Sequence, residues 1–175
     1  MMTIRLLAGV LGALVVLVAG CGVVAIRDGS EDMQTLSEQQ ALQRVEEHIA
    51  RAVAALPVAP RLEKQSAVGA VPCDDPSDLG PLGRVSVSET YWMRGLDFDR
   101  AQELFAVMHD HWLAHDYRVL ADRRDRVGLP ALFVEHNGDA FRMSMATSVQ
   151  GDFSISATSP CVWPDGTPPP EVEPR

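Results

Sequence analysis

Positive charge is scarce in this chain. Fifteen lysines and arginines face twenty-four aspartates and glutamates, and the net charge of −9 repels nucleic acid and anionic headgroups. Nucleic-acid partners are excluded on that ground. No phosphate loop, dinucleotide fingerprint or Gly-x-Ser-x-Gly elbow occurs, so three common enzyme plans have no sequence basis here. Internal repeats and strand–helix–strand alternation are also missing, which argues against solenoids and doubly wound folds. Cysteine is limited to three residues, Cys21, Cys73 and Cys161.

Near the amino terminus stands a different kind of signal. Arg5 precedes an uncharged apolar run from Leu6, and Val18-Ala19-Gly20-Cys21 ends it in the small-small-Cys form of a lipobox. The pattern predicts a signal peptide over residues 1–20, cleaved before Cys21, whose thiol then carries lipid. That expectation places the remaining chain on the outer face of the cell membrane, anchored through Cys21. A rival reading remains, because the uncharged stretch continues to Ile26 and is long enough to span a bilayer uncleaved. The cysteine and its small neighbours favour the lipid. Assigning Cys21 to lipid leaves Cys73 and Cys161 as an even pair in a compartment where disulfides persist, and predicts a bridge between them.

Residues 21–36 read as a flexible tether, 37–163 as a single domain and 164–175 as a disordered Pro-rich tail. Ser37 and Gln40 resemble a capping box, and Leu42, Val45, Ile49, Val53 and Leu56 recur at helical spacing, so a helix is expected over about 38–56. Pro57 and Pro60 stop it. A short strand is expected near 64–68, followed by a clear alternation over 84–93. Asp97 caps a second helix with Ala101, Leu104, Phe105, Met108 and Trp112 on its core face. Strands follow at 117–121, 131–136, 140–149 and 153–158, with a hairpin across Asn137-Gly138. For the last hairpin, a three-residue loop at 150–152 puts the apolar faces in agreement, with Val149 opposite Phe153. The expected architecture is α+β: two helices on one face of a mostly antiparallel sheet of about four to five strands.

Candidate chemistry is sparse. His111 and His115, four apart on the second helix, have a spacing found in zinc sites, but Trp112 stands where the protease form of that motif needs Glu. They are secondary metal candidates, and packing at the border of the core explains them equally. Asp74, Asp75 and Asp78 lack the alternation of a calcium loop and read as a turn. Arg123, Arg124 and Arg126 are interleaved with acids and read as a solvated bend. Serines and threonines on the outward positions of the late strands, with Phe133 and Arg142, could form a flat surface for a polar polymer or partner protein. No catalytic residue, cofactor or enzyme activity is expected.

Taken together, the lipobox, polar first helix, Cys73-Asp74 turn, acidic-start helix at 97–115, the run Asn137-Gly138-Asp139-Ala140-Phe141-Arg142 and the strand leading to Cys161 resemble the LppA-like lipoproteins of mycobacteria and related actinobacteria. The resemblance implies a membrane-anchored envelope protein with one disulfide-linked α+β domain. It implies no catalytic residue. The expected role is a ligand- or partner-binding or structural module of the envelope, with a metal-binding protein or hydrolase using the His111/His115 face as the alternative.

Overall fold

The computed structural model describes residues 35–65, 69–73 and 80–170. Cys21, the tether up to residue 34, the acidic turn at Asp74, Asp75 and Asp78, and residues 66–68 of the expected early strand lie outside the described residues. Among those described, no helix is long and apolar enough to cross a membrane.

Helix α1 (Glu38–Ala54) begins with a reciprocal capping box, the Ser37 hydroxyl accepting from the Gln40 N–H and the Gln40 side chain accepting from the Ser37 N–H. Its buried stripe is Ala41, Val45, His48, Ile49 and Ala52, one imidazole among small apolar residues. Leu42 and Val53, expected to face the core, are only partly buried. Strand β1 (Arg61–Lys64) is followed by β2 (Val71–Pro72) and β3 (Val85–Ser86), which pair with each other as a small two-stranded sheet. The expected alternation over 84–93 is thus divided at Val87 between β3 and β4 (Ser88–Arg94).

Asp97 accepts from the Asp99 N–H and caps a single 3-10 turn, Phe98–Arg100, that leads into α2 (Ala101–Ala114). Leu104, Phe105, Met108 and Trp112 are buried, as the helical spacing predicts. Strands β5 (Tyr117–Arg123), β6 (Ala131–His136), β7 (Arg142–Thr147) and β8 (Phe153–Thr158) follow, the last elements among the described residues. The main sheet has six antiparallel strands in the order β1-β4-β8-β7-β6-β5, more than the four to five expected. The short strand expected near 64–68 is β1 at Arg61–Lys64, whose four exposed residues carry no alternation that would fix its bounds.

Met93, Leu132, Val134, Met143, Met145, Phe153, Ile155 and Ala157 supply the inward rows of the sheet and join the buried residues of both helices in one core. Burial of each large apolar side chain contributes roughly 1.5–3 kcal/mol. Outward positions hold the hydroxyls: Thr90, Ser156, Ser144 and Phe133 line up across four strands, as do Trp92, Ser154, Ala146 and Ala131.

Cys73 and Cys161 form a disulfide with Cα atoms 6.1 Å apart and a sequence separation of 88. It sits where the small sheet meets the end of the main one. Cys73 N–H donates to the Arg84 carbonyl, and Val85 and Val162 exchange two backbone hydrogen bonds.

Three loop expectations are corrected. The last hairpin pairs Thr147 with Phe153 and closes through five residues, 148–152, instead of three. Ser148 N–H donates to the Asp152 carbonyl, its hydroxyl accepts from Gln150 and Asp152, and Gly151 takes φ +83°. The shift is two residues, so the facing parity is kept while Val149 becomes 75% exposed. The β6–β7 hairpin turns through 137–140, not through Asn137-Gly138 alone, because His136 pairs with Phe141 and Ala140 adopts φ +58°. Finally, Pro164 and Gly166, expected within an unpacked tail, accept from Glu38 and Thr35, and so finish the N-terminus of α1.

Candidate functional site

The buried stripe of α1 delivers His48 beneath the β6–β7 hairpin, and its side chain is wholly buried. One face of the ring stacks on Phe141, centroids 5.0 Å apart. The edges meet polar groups. Nε2 lies 3.1 Å from Asp139 Oδ2, while Nδ1 receives a short hydrogen bond from the Tyr117 hydroxyl at the start of β5. Arg51, one turn further along α1, places Nη2 3.1 Å from the same Nδ1. A guanidinium only donates, so Nδ1 must accept and the ring hydrogen sits on Nε2, donated to Asp139. The neutral tautomer is therefore fixed by its neighbours.

Asp139 bridges two imidazoles. Its Oδ1 is 2.7 Å from His136 Nδ1 and also accepts from the Phe141 N–H at 3.4 Å. The loop that presents it is tied to the α2–β5 turn, since Asn137 donates through its backbone to the Asp116 carbonyl and through its side chain to the Asp116 carboxylate. Ala140 in the left-handed region is the kind of local strain that collects at functional loops.

Charge follows from this packing. Burial pushes the His48 pKa below its ordinary value and outweighs the opposite pull of Asp139. Burial would raise Asp139, but its bonds to His136 and His48 reverse that and keep it ionised below the usual carboxylate range. Burial raises the Tyr117 phenol to about 12. Tyr117, His48 and Asp139 thus form a hydroxyl–imidazole–carboxylate chain whose hydroxyl is a poor nucleophile, being both hard to ionise and 6% exposed.

His111 and His115, the two candidates from spacing, do lie together, ring centroids 4.1 Å apart. His115 Nδ1 is 2.7 Å from the His111 carbonyl and donates to it, closing the end of α2. Both rings line a cavity of about 30 Å³ with Arg51, Tyr117 and His136, room for about one water. They belong to the rim of the site. Among the described residues, the three-residue group whose donor atoms lie within 4.8 Å of one another is His48, His136 and Asp139. None of these was singled out by spacing. A usable signal existed in His48, which interrupts the apolar stripe between Val45 and Ala52.

Other candidates are accounted for by their neighbours. Arg124 is held by Asp122, whose carboxyl that contact lowers to about 2, and Arg123 lies over the Phe133 ring. A cleft of about 510 Å³ beside Gln102, Asp122, Arg124 and Asp125 is open and lined by polar and charged residues. Outward hydroxyls pair with each other, Ser88 with Thr158 and Thr90 with Ser156, and Arg142 joins Arg118 on Glu135. No protein-family model, curated protein or solved structure matches the chain.

Proposed function

We propose that the chain is an extracytoplasmic lipoprotein, cleaved before Cys21 and anchored there to the outer face of the cell membrane, whose domain is a ligand-binding module of the cell envelope resembling the LppA-like lipoproteins. The observation that supports it best is the Cys73–Cys161 disulfide. A structural bridge of this span persists in oxidising compartments, and it leaves Cys21 as the cysteine available for lipid. The ligand site of the module is the His48 cluster, because a domain core has no packing need for a buried imidazole and phenol bonded in a chain to a partly exposed carboxylate beside a surface cavity.

A hydrolase is the second reading, favoured by the order Tyr117–His48–Asp139. The raised phenol weighs against it. The anchor is tested by expressing the wild type and Cys21→Ala with labelled palmitate. Labelled protein in the membrane fraction and release of the variant support the reading. Unlabelled protein, with the variant still attached, would favour an uncleaved helix over residues 6–26.

A further inference from the structure

We infer that His48, His136 and Asp139 form a binding site for a divalent transition metal, zinc above others, and that Arg51 guards it. The inference names a ligand for the module proposed above and stands independently of the anchor. Two imidazoles and one carboxylate are a borderline donor set that suits zinc and leaves a fourth position for water. The three come from separate places, a helix, the end of a strand and a tight loop, and their donor atoms already lie within 4.8 Å of one another. His48 comes from 91 positions away to meet a hairpin end where His136 and Asp139 are three apart, which differs from neighbours on a single helix that face the same way.

In the metal-free protein, hydrogens occupy the positions a metal would take. Asp139 accepts from His48 Nε2 at 3.1 Å and from His136 Nδ1 at 2.7 Å. Tetrahedral zinc with bonds of roughly 2.0–2.1 Å holds neighbouring donors about 3.3 Å apart. His48 and His136 meet different oxygens of Asp139, so the carboxylate turns to present one oxygen and the three donors, now within 4.8 Å of one another, draw together around the ion. Coordination through these nitrogens moves each ring hydrogen to the other nitrogen, from Nε2 to Nδ1 in His48 and from Nδ1 to Nε2 in His136. Zinc then binds without net loss of a proton.

Tyr117 accommodates this change and Arg51 does not. A phenol both donates and accepts, so Tyr117 can reverse its hydrogen bond and receive the new Nδ1–H, the outer bond that metal-bound imidazoles commonly make. Arg51 has no acceptor, and in its present place 3.1 Å away it enforces the tautomer that cannot coordinate through Nε2. Its positive charge also opposes a cation. The residue is exposed and free to swing outward, which makes the block conditional.

The test is calorimetric titration of the purified full-length chain in detergent micelles, stripped with chelator, using zinc chloride. Cobalt chloride absorption serves as a second readout of tetrahedral geometry. Wild type should bind one equivalent. Arg51→Gln should bind about tenfold tighter, since a nearby like charge and a competing donor are gone. His136→Ala and the near-isosteric Asp139→Asn should each weaken binding at least about tenfold. His111→Ala/His115→Ala should stay within about twofold. Absence of saturable binding in both wild type and Arg51→Gln would overturn the inference. So would binding lost in the His111/His115 double variant but kept in Asp139→Asn, which retains the fold's shape. Tightening in Arg51→Gln is an outcome that a purely structural hydrogen-bond network does not produce.

Discussion

Two groups of histidines lie within one small region and differ in every respect that matters for chemistry. His111 and His115 are four residues apart, partly to fully solvent-facing, and one of them spends a nitrogen on a helix-end carbonyl. His48 and His136 are far apart in sequence, share one carboxylate, and one of them is completely buried. Regular spacing puts two side chains on one helical face without giving them a common target. Convergence requires a third element, here the β6–β7 loop carrying Asp139. The pair visible in the sequence forms the rim, and the pair assembled by folding holds the centre.

Removal of one histidine from each group should separate them most sharply. His48→Ala leaves a cavity against Phe141 and strips partners from the Tyr117 hydroxyl and Asp139, so it should cost about 3 kcal/mol. His111→Ala removes a partly exposed ring and should stay within about 1 kcal/mol. Urea unfolding followed by tryptophan fluorescence measures both. Equal losses would mean that the two groups are structurally equivalent and would dissolve the distinction.

The same contrast shows what could be read before folding was considered. Helices α1 and α2 announce themselves through the capping box at Ser37 and the Leu104–Trp112 stripe, and late strands through alternation, because these signals are local. Their parity also survived: the final hairpin is two residues longer than the apolar pattern required, and a shift of two preserves which face is buried. Loop length escaped because Ser148 and Asp152 close the turn with side-chain and backbone bonds that leave no period in sequence. The expected bounds of β1, near 64–68, fall a few residues late because an all-exposed edge strand has no apolar row to fix them. The Cys73–Cys161 pair was legible by elimination, a matter of counting. The His48 cluster was not, since an imidazole on a core stripe has no partner in sequence until α1, β5 and the β6–β7 loop meet.

Acid should distinguish the groups by slope. His48 has a folded pKa below its unfolded value of about 6.5, so as pH falls past 6.5 the unfolded chain takes up a proton that the folded one refuses. Stability should therefore decline from about pH 6.5 down to the folded pKa, by as much as about 1.4 kcal/mol per pH unit per proton. His111 is lowered as well, by burial first and then by His115 and Arg51, and contributes with the same sign. Its ring is partly exposed, so the larger flattening is expected in His48→Asn and the smaller in His111→Asn, read from urea midpoints between pH 5 and 7. Asp139, depressed below the carboxylate range, acts in a lower window and adds a further loss as pH falls below about 4. A slope untouched by His48→Asn would place the refused proton elsewhere.

The smallest change tests how finely the central group is positioned. Gly138 lies in the loop between His136 and Asp139, and a Cβ built there would sit 3.1 Å from His136 Cε1. Its φ is not in the left-handed region, so backbone strain contributes little to the effect of Gly138→Ala. What remains is a push of a few tenths of an ångström on the ring whose Nδ1 meets Asp139 at 2.7 Å. The stability cost should be at most about 1 kcal/mol, the size of one hydrogen bond weakened but not lost. Nuclear magnetic resonance should nonetheless show a change at the His136 and His48 ring nitrogens, because both bond the Asp139 carboxylate, while His111 and His115 keep their signals. Equal shifts in all four rings would show one continuous histidine cluster. Shifts confined to His136 and His48 would show that the carboxylate, and not proximity, defines the site.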